Sequence, residues 1–272
     1  MPSDFEAKPF VKWVGGKRQL LPSISEIIKP RLKPGATYHE PFIGGGAVFF
    51  HLQPKRAFIT DSNERLIRTY KGIKKDVEGV IRRLRSYPHD KSFYLETRAR
   101  DIDAEDDVEV AAWFIYLNRT GYNGLYRVNS RNGFNVPFGD YTNPTICDPD
   151  NLRACARALR NARIEKRDFT SVLSRAKRGD FVYFDPPYIP LTATSRFTDY
   201  TSSGFSDSEQ VKLRDAALEL KAKGVSVLLS NSSAQRVHDL YGKHFECREA
   251  LARRSVNCNP NGRGRIAELL IY

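Results

Sequence analysis

An apolar run, Phe181 to Phe184, ends on Asp185-Pro186-Pro187-Tyr188. Prolines fix φ and carry no backbone N–H, so the strand end is rigid, leaving carbonyls unpaired and Tyr188 projecting sideways. A carboxylate and a carbonyl are two acceptors, which match the two hydrogens of an exocyclic amino group. The tyrosine ring offers a platform for the flat ring that bears such a group. Taken alone, the same residues also read as a plain strand-ending turn. A second group lies upstream, where Phe42-Ile43-Gly44-Gly45-Gly46 is followed by Asp61, 17 residues after Gly44. Bare glycines let the backbone approach a ligand closely, and an acid at the end of the next strand accepts hydrogen bonds from ribose hydroxyls, as a nucleoside cofactor requires. A tight strand-to-helix turn with no ligand is the competing reading of the glycines. Lys17 follows Gly15-Gly16, but Arg18 stands where a magnesium-binding Ser or Thr is needed, which disfavours a P-loop nucleotidase.

Alternating strand and helix patterns position these groups. A helix pattern with Leu20, Leu21, Ile24, Ile27 and Ile28 apolar stops at Pro30. A short strand in "ATYHEPF" leads through the glycines into the helix "AVFFHL", and "RAFITDSN" is a strand ending on Asp61. Between about residues 63 and 143 the alternation gives way to helical patterns and a long loop, "RTGYNGLYRVNSRNGFNVPFGDY", too rich in Gly and Asn to be a mere connection. Alternation then resumes with a helix at "PDNLRACARALRN", strands near "RIEKRDF" and "DFVYFDPPY", a helix from about Asp207 to Lys223 and the strand "GVSVLLSNS". An antiparallel pair around a Gly-rich turn closes the chain. Ligands of open α/β sheets bind outside the carboxyl ends of the strands, so Gly44 to Gly46, Asp61 and Asp185 are expected to converge on one crevice.

Composition narrows the partners. The chain has 272 residues with 44 Lys+Arg against 32 Asp+Glu, a net charge of +12 that suits a polyanion. The stretches "KKDVEGVIRRLR", "REALARRSVN" and "NGRGR" read as phosphate grips or as solvated faces. Cys147, Cys155, Cys247 and Cys258 form no C-x-x-C pair, and the five histidines are scattered, so neither a metal site nor a Ser-His-Asp relay is expected. No apolar segment is long enough to span a bilayer, and the expected location is the cytoplasm.

In this order, "KWVGGK", "PFIGGG" with Asp61, "GYNGLYR", "FNVPFG" and "DPPY" resemble the Dam-like DNA adenine methyltransferases, over nearly the whole chain. The resemblance implies an α/β, Rossmann-like methyltransferase sheet with an inserted, mainly helical recognition domain. Residues 1–62 and 144–272 would be catalytic, and 63–143 would recognise the target. It implies S-adenosylmethionine as cofactor, with Trp13 and Lys17 lining its pocket, Phe42, Gly44 and Gly46 beneath it, Asp61 on its ribose, and Asp168 and Phe169 beside its adenine. Asp185 would lie between cofactor and base, with Pro186, Pro187 and Tyr188 completing the catalytic motif. Double-stranded DNA is the implied partner and the adenine of GATC the implied target, flipped out of the helix. Tyr122 and Asn123 would fill or border the gap, Arg127 would read guanine, Leu125 a thymine methyl, Lys12 the first base pair, and Pro137 and Tyr141 the far edge. Thr120 and Tyr126 fall at positions where variation within the family is expected. Without the resemblance, Arg119, Arg127 and Arg131 read as phosphate contacts. The residues alone also admit N4 of cytosine, an RNA base or a glutamine side chain as substrate, or a DNA-binding module with a vestigial cofactor pocket.

Overall fold

A computed structural model of the chain describes residues 6–191, 205–253 and 265–272. Seven strands, β1 (Tyr38–Glu40), β2 (Ala57–Asp61), β3 (Ala162–Lys166), β4 (Phe181–Phe184), β5 (Ser226–Ser232), β6 (Cys247–Arg253) and β7 (Arg265–Ile271), form one sheet in the order β3-β2-β1-β4-β5-β7-β6. Strand β1 runs parallel to β2 and β4, and β4 runs parallel to β5. Strand β7 is antiparallel to both β5 and β6. The Phe181-Val-Tyr-Phe184 run is buried at every position, as expected of a parallel strand covered on both faces rather than an alternating one. The order reverses between β1 and β4, and the crevice beyond such a reversal is where open α/β sheets hold ligands.

The helices are α1 (Leu21–Ile28), α2 (Ala47–Leu52), α3 (Glu64–Ser86), α4 (Lys91–Ala99), α5 (Asp107–Thr120), α6 (Pro149–Leu159), α7 (Asp207–Ala222) and α8 (Gln235–Tyr241). The chain divides into two compact units. One comprises residues 1–16, 44–53 and 61–166, and the other residues 17–43, 54–60 and 167–272. The second unit is built on β1, β4, β5, β6 and β7 with all of β2 but Asp61. A buried cluster including Val182, Phe184, Leu213, Leu220, Leu229, Val237 and Leu269 joins its sheet to α7 and α8.

In the first unit, α3 and α5 pack at close range because Gly72 has no side chain. A Cβ there would stand 2.2 Å from the Asp107 carbonyl oxygen. Helix α5 is buried along almost its whole length, including Trp113, Phe114, Tyr116 and Leu117. Its start is fixed by Asp106, whose carboxylate accepts the Val108 and Glu109 N–H groups at 2.8 and 2.9 Å. Replacing Asp106 by alanine is expected to cost about 1 kcal/mol, the usual worth of an N-cap, read as a lower urea midpoint at pH 7. The Glu109 and Val108 N–H groups hold this carboxyl below its ordinary value of 3.8. The stabilisation is therefore complete above the ordinary value and is lost as pH falls through the lower, folded-state value. The midpoints of the two proteins should converge there.

Candidate active site

In the unit that carries β4, the chain leaves the sheet at Asp185 and is pinned on both sides of the turn. The Ile189 N–H donates to Asn231 Oδ1 at 3.1 Å, the Ser232 hydroxyl donates to the Ile189 carbonyl at 2.6 Å, and Gln210 Nε2 donates to the Pro187 carbonyl at 2.9 Å. The expectation that the turn leaves its carbonyls unpaired is thus corrected in part. The Pro187 carbonyl is used in holding the turn, and the Pro186 carbonyl has no hydrogen-bond partner among the described residues.

Lys17, only 3% exposed, places Nζ 2.9 Å from Asp185 Oδ1 and 4.6 Å from the centre of the Tyr188 ring. The Tyr188 hydroxyl donates to Glu268 Oε2 at 2.6 Å. Burial pushes the Asp185 carboxyl above its ordinary value; the ammonium of Lys17 pulls it back, and the charge of Glu268 adds to the rise. Burial likewise lifts the Tyr188 phenol far above its ordinary value, so it stays protonated and serves as a donor. A ring face with an acidic group beside it already hosts one cation here, which is the electrostatic character a cationic or amino-bearing flat ring needs.

The same unit stacks Phe42 on Phe169 with ring centres 5.5 Å apart, and sets Phe184 and Phe205 edge-on to Phe42 at 6.3 and 5.7 Å. Asp168 is exposed and caps the turn that begins at Phe169, its Oδ1 accepting from the Thr170 N–H at 2.9 Å. Phe42 and Phe169 therefore form one aromatic group, with Asp168 at its edge.

In the other unit the glycine turn closes on Asp61. The Gly44 N–H donates to Asp61 Oδ2 at 3.1 Å and the Asn63 N–H to Oδ1 at 2.9 Å. Burial raises the Asp61 carboxyl and these backbone donors oppose the rise. A carboxylate offers about four acceptor sites, more than the Gly44, Ser62 and Asn63 N–H groups use, so room remains for a hydroxyl ligand. Gly44 has φ of +46°, and a Cβ there would lie 2.7 Å from the Trp13 indole. Gly46, at φ +73°, lies under Tyr70, whose hydroxyl bonds the Gly44 carbonyl at 2.9 Å. No side chain fits between the turn and Trp13, which leaves a bare backbone edge, a fixed indole and an acid with spare acceptors. This donor set fits an adenosyl group.

Trp13 also joins the turn to the long loop. Its indole stacks at 6.2 Å on Tyr126, which stacks at 4.9 Å on Phe114 of α5. Tyr126, read from the sequence as a variable position, is a packing residue. Asn118 ties the Lys12 backbone to the loop, accepting from the Lys12 N–H at 2.7 Å and donating to the Lys12 and Gly124 carbonyls at 2.9 and 2.7 Å. A short turn at Tyr122–Gly124 then presents Tyr122, 52% exposed, and Asn123 in the left-handed conformation. Leu125 follows, half-buried. Arg127 is exposed, with Nε on Asn135 Oδ1 at 2.8 Å and Nη2 on the Asn135 carbonyl at 3.1 Å. Pro137 is exposed and receives the Tyr122 N–H on its carbonyl, and Lys12 Nζ sits 4.1 Å above the Tyr141 ring. Lys12, Tyr122, Asn123, Leu125, Arg127, Pro137 and Tyr141 thus all lie in one unit, on one braced loop system.

Two expectations about basic residues change. Arg119 is not a free phosphate contact, since its guanidinium is half-buried on the Phe10 carbonyl at 2.9 and 3.1 Å. Within residues 74–85, Lys74 bonds the Ala162 carbonyl at 2.7 Å and Arg83 pairs with Glu109, so this stretch is partly structural. Residues 254–257 of "REALARRSVN" and 261–264 of "NGRGR" lie outside the described residues, as does Cys258, while Arg248 pairs with Glu26 at 3.3 Å. Among the described residues no cluster of His, Cys, Asp or Glu could hold a metal, and no helix is long and apolar enough to cross a membrane.

Glu268, Asn231, Ser232 and Gln210 around the Asp185 turn escaped sequence reasoning. The available signal was a lone acid inside "AELLIY" and a polar end to "VSVLLSNS".

Residues 13–256 match the family model described as D12 class N6 adenine-specific DNA methyltransferase. The chain is 44% identical to the type II methyltransferase M1.LlaDCHI of Lactococcus lactis subsp. cremoris, over 97% of this chain and 94% of that one. It is 33% identical to the DNA adenine methylase of Vibrio cholerae, over 97% and 95%, and to that of Escherichia coli K12, over 97% and 94%.

Proposed function

This chain belongs to the D12 class of N6 adenine-specific DNA methyltransferases, and on that premise we propose that it takes S-adenosylmethionine as methyl donor and methylates the adenine of GATC, flipped from duplex DNA. The single observation that carries this reading is the half-buried Asp185 at the end of β4, paired with an ammonium that also rests on the Tyr188 ring. A site that accepts an N–H from a cation stacked on an aromatic face is built to accept the N–H of an amino group on a flat base.

When bound, S-adenosylmethionine supplies a methyl group made electrophilic by its sulfonium. Trp13, Phe42, Gly44, Gly46, Asp61, Asp168 and Phe169, with Lys17 and Asp185, are the residues proposed to hold it. The chain's contribution to chemistry is positioning. Adenine N6 is a poor nucleophile because its lone pair is delocalised into the ring. Asp185 and the Pro186 carbonyl accept its two hydrogens, which frees the lone pair to form the new N–C bond as the C–S bond breaks. The cationic nitrogen is acidic and loses a proton to water. Tyr188, fixed by Glu268, stacks on the extruded base and offsets part of an unstacking cost of roughly a few kcal/mol.

Residues 63–143 are assigned to target recognition, and 1–62 with 144–272 to catalysis. The exposed Tyr122 and the left-handed Asn123 suit filling the gap left by the base. The exposed Arg127 fork suits guanine O6 and N7, with Leu125 on a thymine methyl, Lys12 on the first base pair and Pro137 and Tyr141 at the far edge. The net charge of +12 and the absence of a spanning helix among the described residues support a cytoplasmic, DNA-associated protein.

A target other than GATC is the second reading, favoured by the higher identity to a protein named as a type II methyltransferase than to the adenine methylases of Vibrio cholerae and Escherichia coli. Methyl transfer from labelled cofactor to a GATC duplex, to its single-base variants and to GATC methylated on both strands separates the two. Incorporation confined to unmethylated GATC is expected. Equal incorporation into any variant would overturn the GATC assignment and leave the chemistry standing.

A further inference from the structure

Glu268 is a lone carboxylate on β7, followed by the buried Leu269, Leu270 and Ile271. It lies in register with Ser232 of β5 on one side and Ala250 of β6 on the other, so the sheet fixes its backbone from both edges. A carboxylate in such a strand costs free energy unless it is hydrogen-bonded, and its Oε2 accepts the Tyr188 hydroxyl at 2.6 Å. The face of that same ring carries Lys17 Nζ at 4.6 Å, and the ammonium also meets Asp185 at 2.9 Å. One carboxylate and a ring face thus meet one cation, and a second carboxylate holds the hydroxyl of that ring.

We propose that Glu268 is a positioning residue that acts through the Tyr188 hydroxyl, orienting the ring and enriching its face so that it stabilises the positive charge the base acquires during methyl transfer. The proposal rests on the function proposed above. The N6 electron pair forms the bond to the methyl carbon while the C–S pair returns to sulfur, so the charge of the sulfonium passes to the base. One N6 proton then leaves to water and the neutral methylated base remains. A phenol donating to a carboxylate has a more electron-rich π face, and a cation above that face gains from it. Neutral adenine gains little, so the stabilisation is differential and appears in the rate rather than in binding.

Glu268→Gln keeps an acceptor for the hydroxyl and removes the charge. Single-turnover methylation by this variant is expected to be about tenfold slower, the scale of weakening one cation–ring contact. Extrusion of the base, read without cofactor from the fluorescence of 2-aminopurine at the target position, should match wild type. In a Tyr188→Phe background, where the hydroxyl is gone, Glu268→Gln should have no further effect. Three results would overturn the proposal: a wild-type rate, an equal slowing in the Tyr188→Phe background, or a loss of extrusion that accounts for the slowing. A folding defect persists in both backgrounds, so the cycle separates it from action through the hydroxyl. Failure of the wild-type chain to methylate any DNA would instead refute the proposed function and is distinguishable at the first control.

Discussion

Replacing Asp185 by alanine is expected to lower single-turnover methyl transfer by at least about a hundred- to a thousandfold, the scale on which preorganised contacts to a reacting group are lost. The variant should still bind duplex DNA, because the proposed readers Lys12, Leu125 and Arg127 lie in the other compact unit. Lys17 complicates the variant, since it is 3% exposed and would be left without its Asp185 partner. Thermal unfolding should accordingly show a loss of stability, and the rate must be measured well below the new midpoint. Asp185→Asn, which retains a carbonyl acceptor, should lose less activity than alanine does. Turnover at the wild-type level in Asp185→Ala would contradict the role of the carboxylate in holding N6.

Arg127→Ala is expected to relax discrimination at one guanine of the site by about 1–3 kcal/mol, the usual worth of a bidentate fork. In this structure the exposed fork rests on Asn135 of the same braced loop. Loop bracing also comes from Arg65, which pairs with Asp103 and donates to the Asn132 carbonyl at 2.7 Å. The measurement is kcat/KM on a cognate duplex and on duplexes substituted at each guanine. Selectivity should fall at one position only. A uniform loss on every sequence, with a salt slope smaller by about one, would make Arg127 a phosphate contact instead.

Where chain order alone carries the information, the sequence is legible. The DPPY turn, the triple glycine and Asp61 each end a local strand pattern, and β-α alternation places them at strand ends without reference to any tertiary contact. The periodicity of "DVEGVIRRLRSY" and "VEVAAWFIYLNR" likewise shows the helices α3 and α5. Long-range pairing was not visible. The closing strands read correctly as an antiparallel pair, but nothing local says that β7 inserts between β5 and β6, and that insertion sets Glu268 opposite Ser232. The Lys17–Asp185 pair has the same origin, because it joins the turn before α1 to the end of β4 across 168 residues of sequence, which neither motif shows. Arg119 shows the converse difficulty. A basic residue in a polar loop reads as a phosphate contact, whereas its length lets it reach back to the Phe10 carbonyl and brace the N-terminal segment.

The most direct measurement is nucleoside mass spectrometry of duplex DNA after incubation with the protein and S-adenosylmethionine labelled on the methyl group. The account predicts label in N6-methyldeoxyadenosine alone, absent when Asp185 is replaced by alanine. Label in N4-methyldeoxycytidine, or no labelled nucleoside from any DNA, would contradict it.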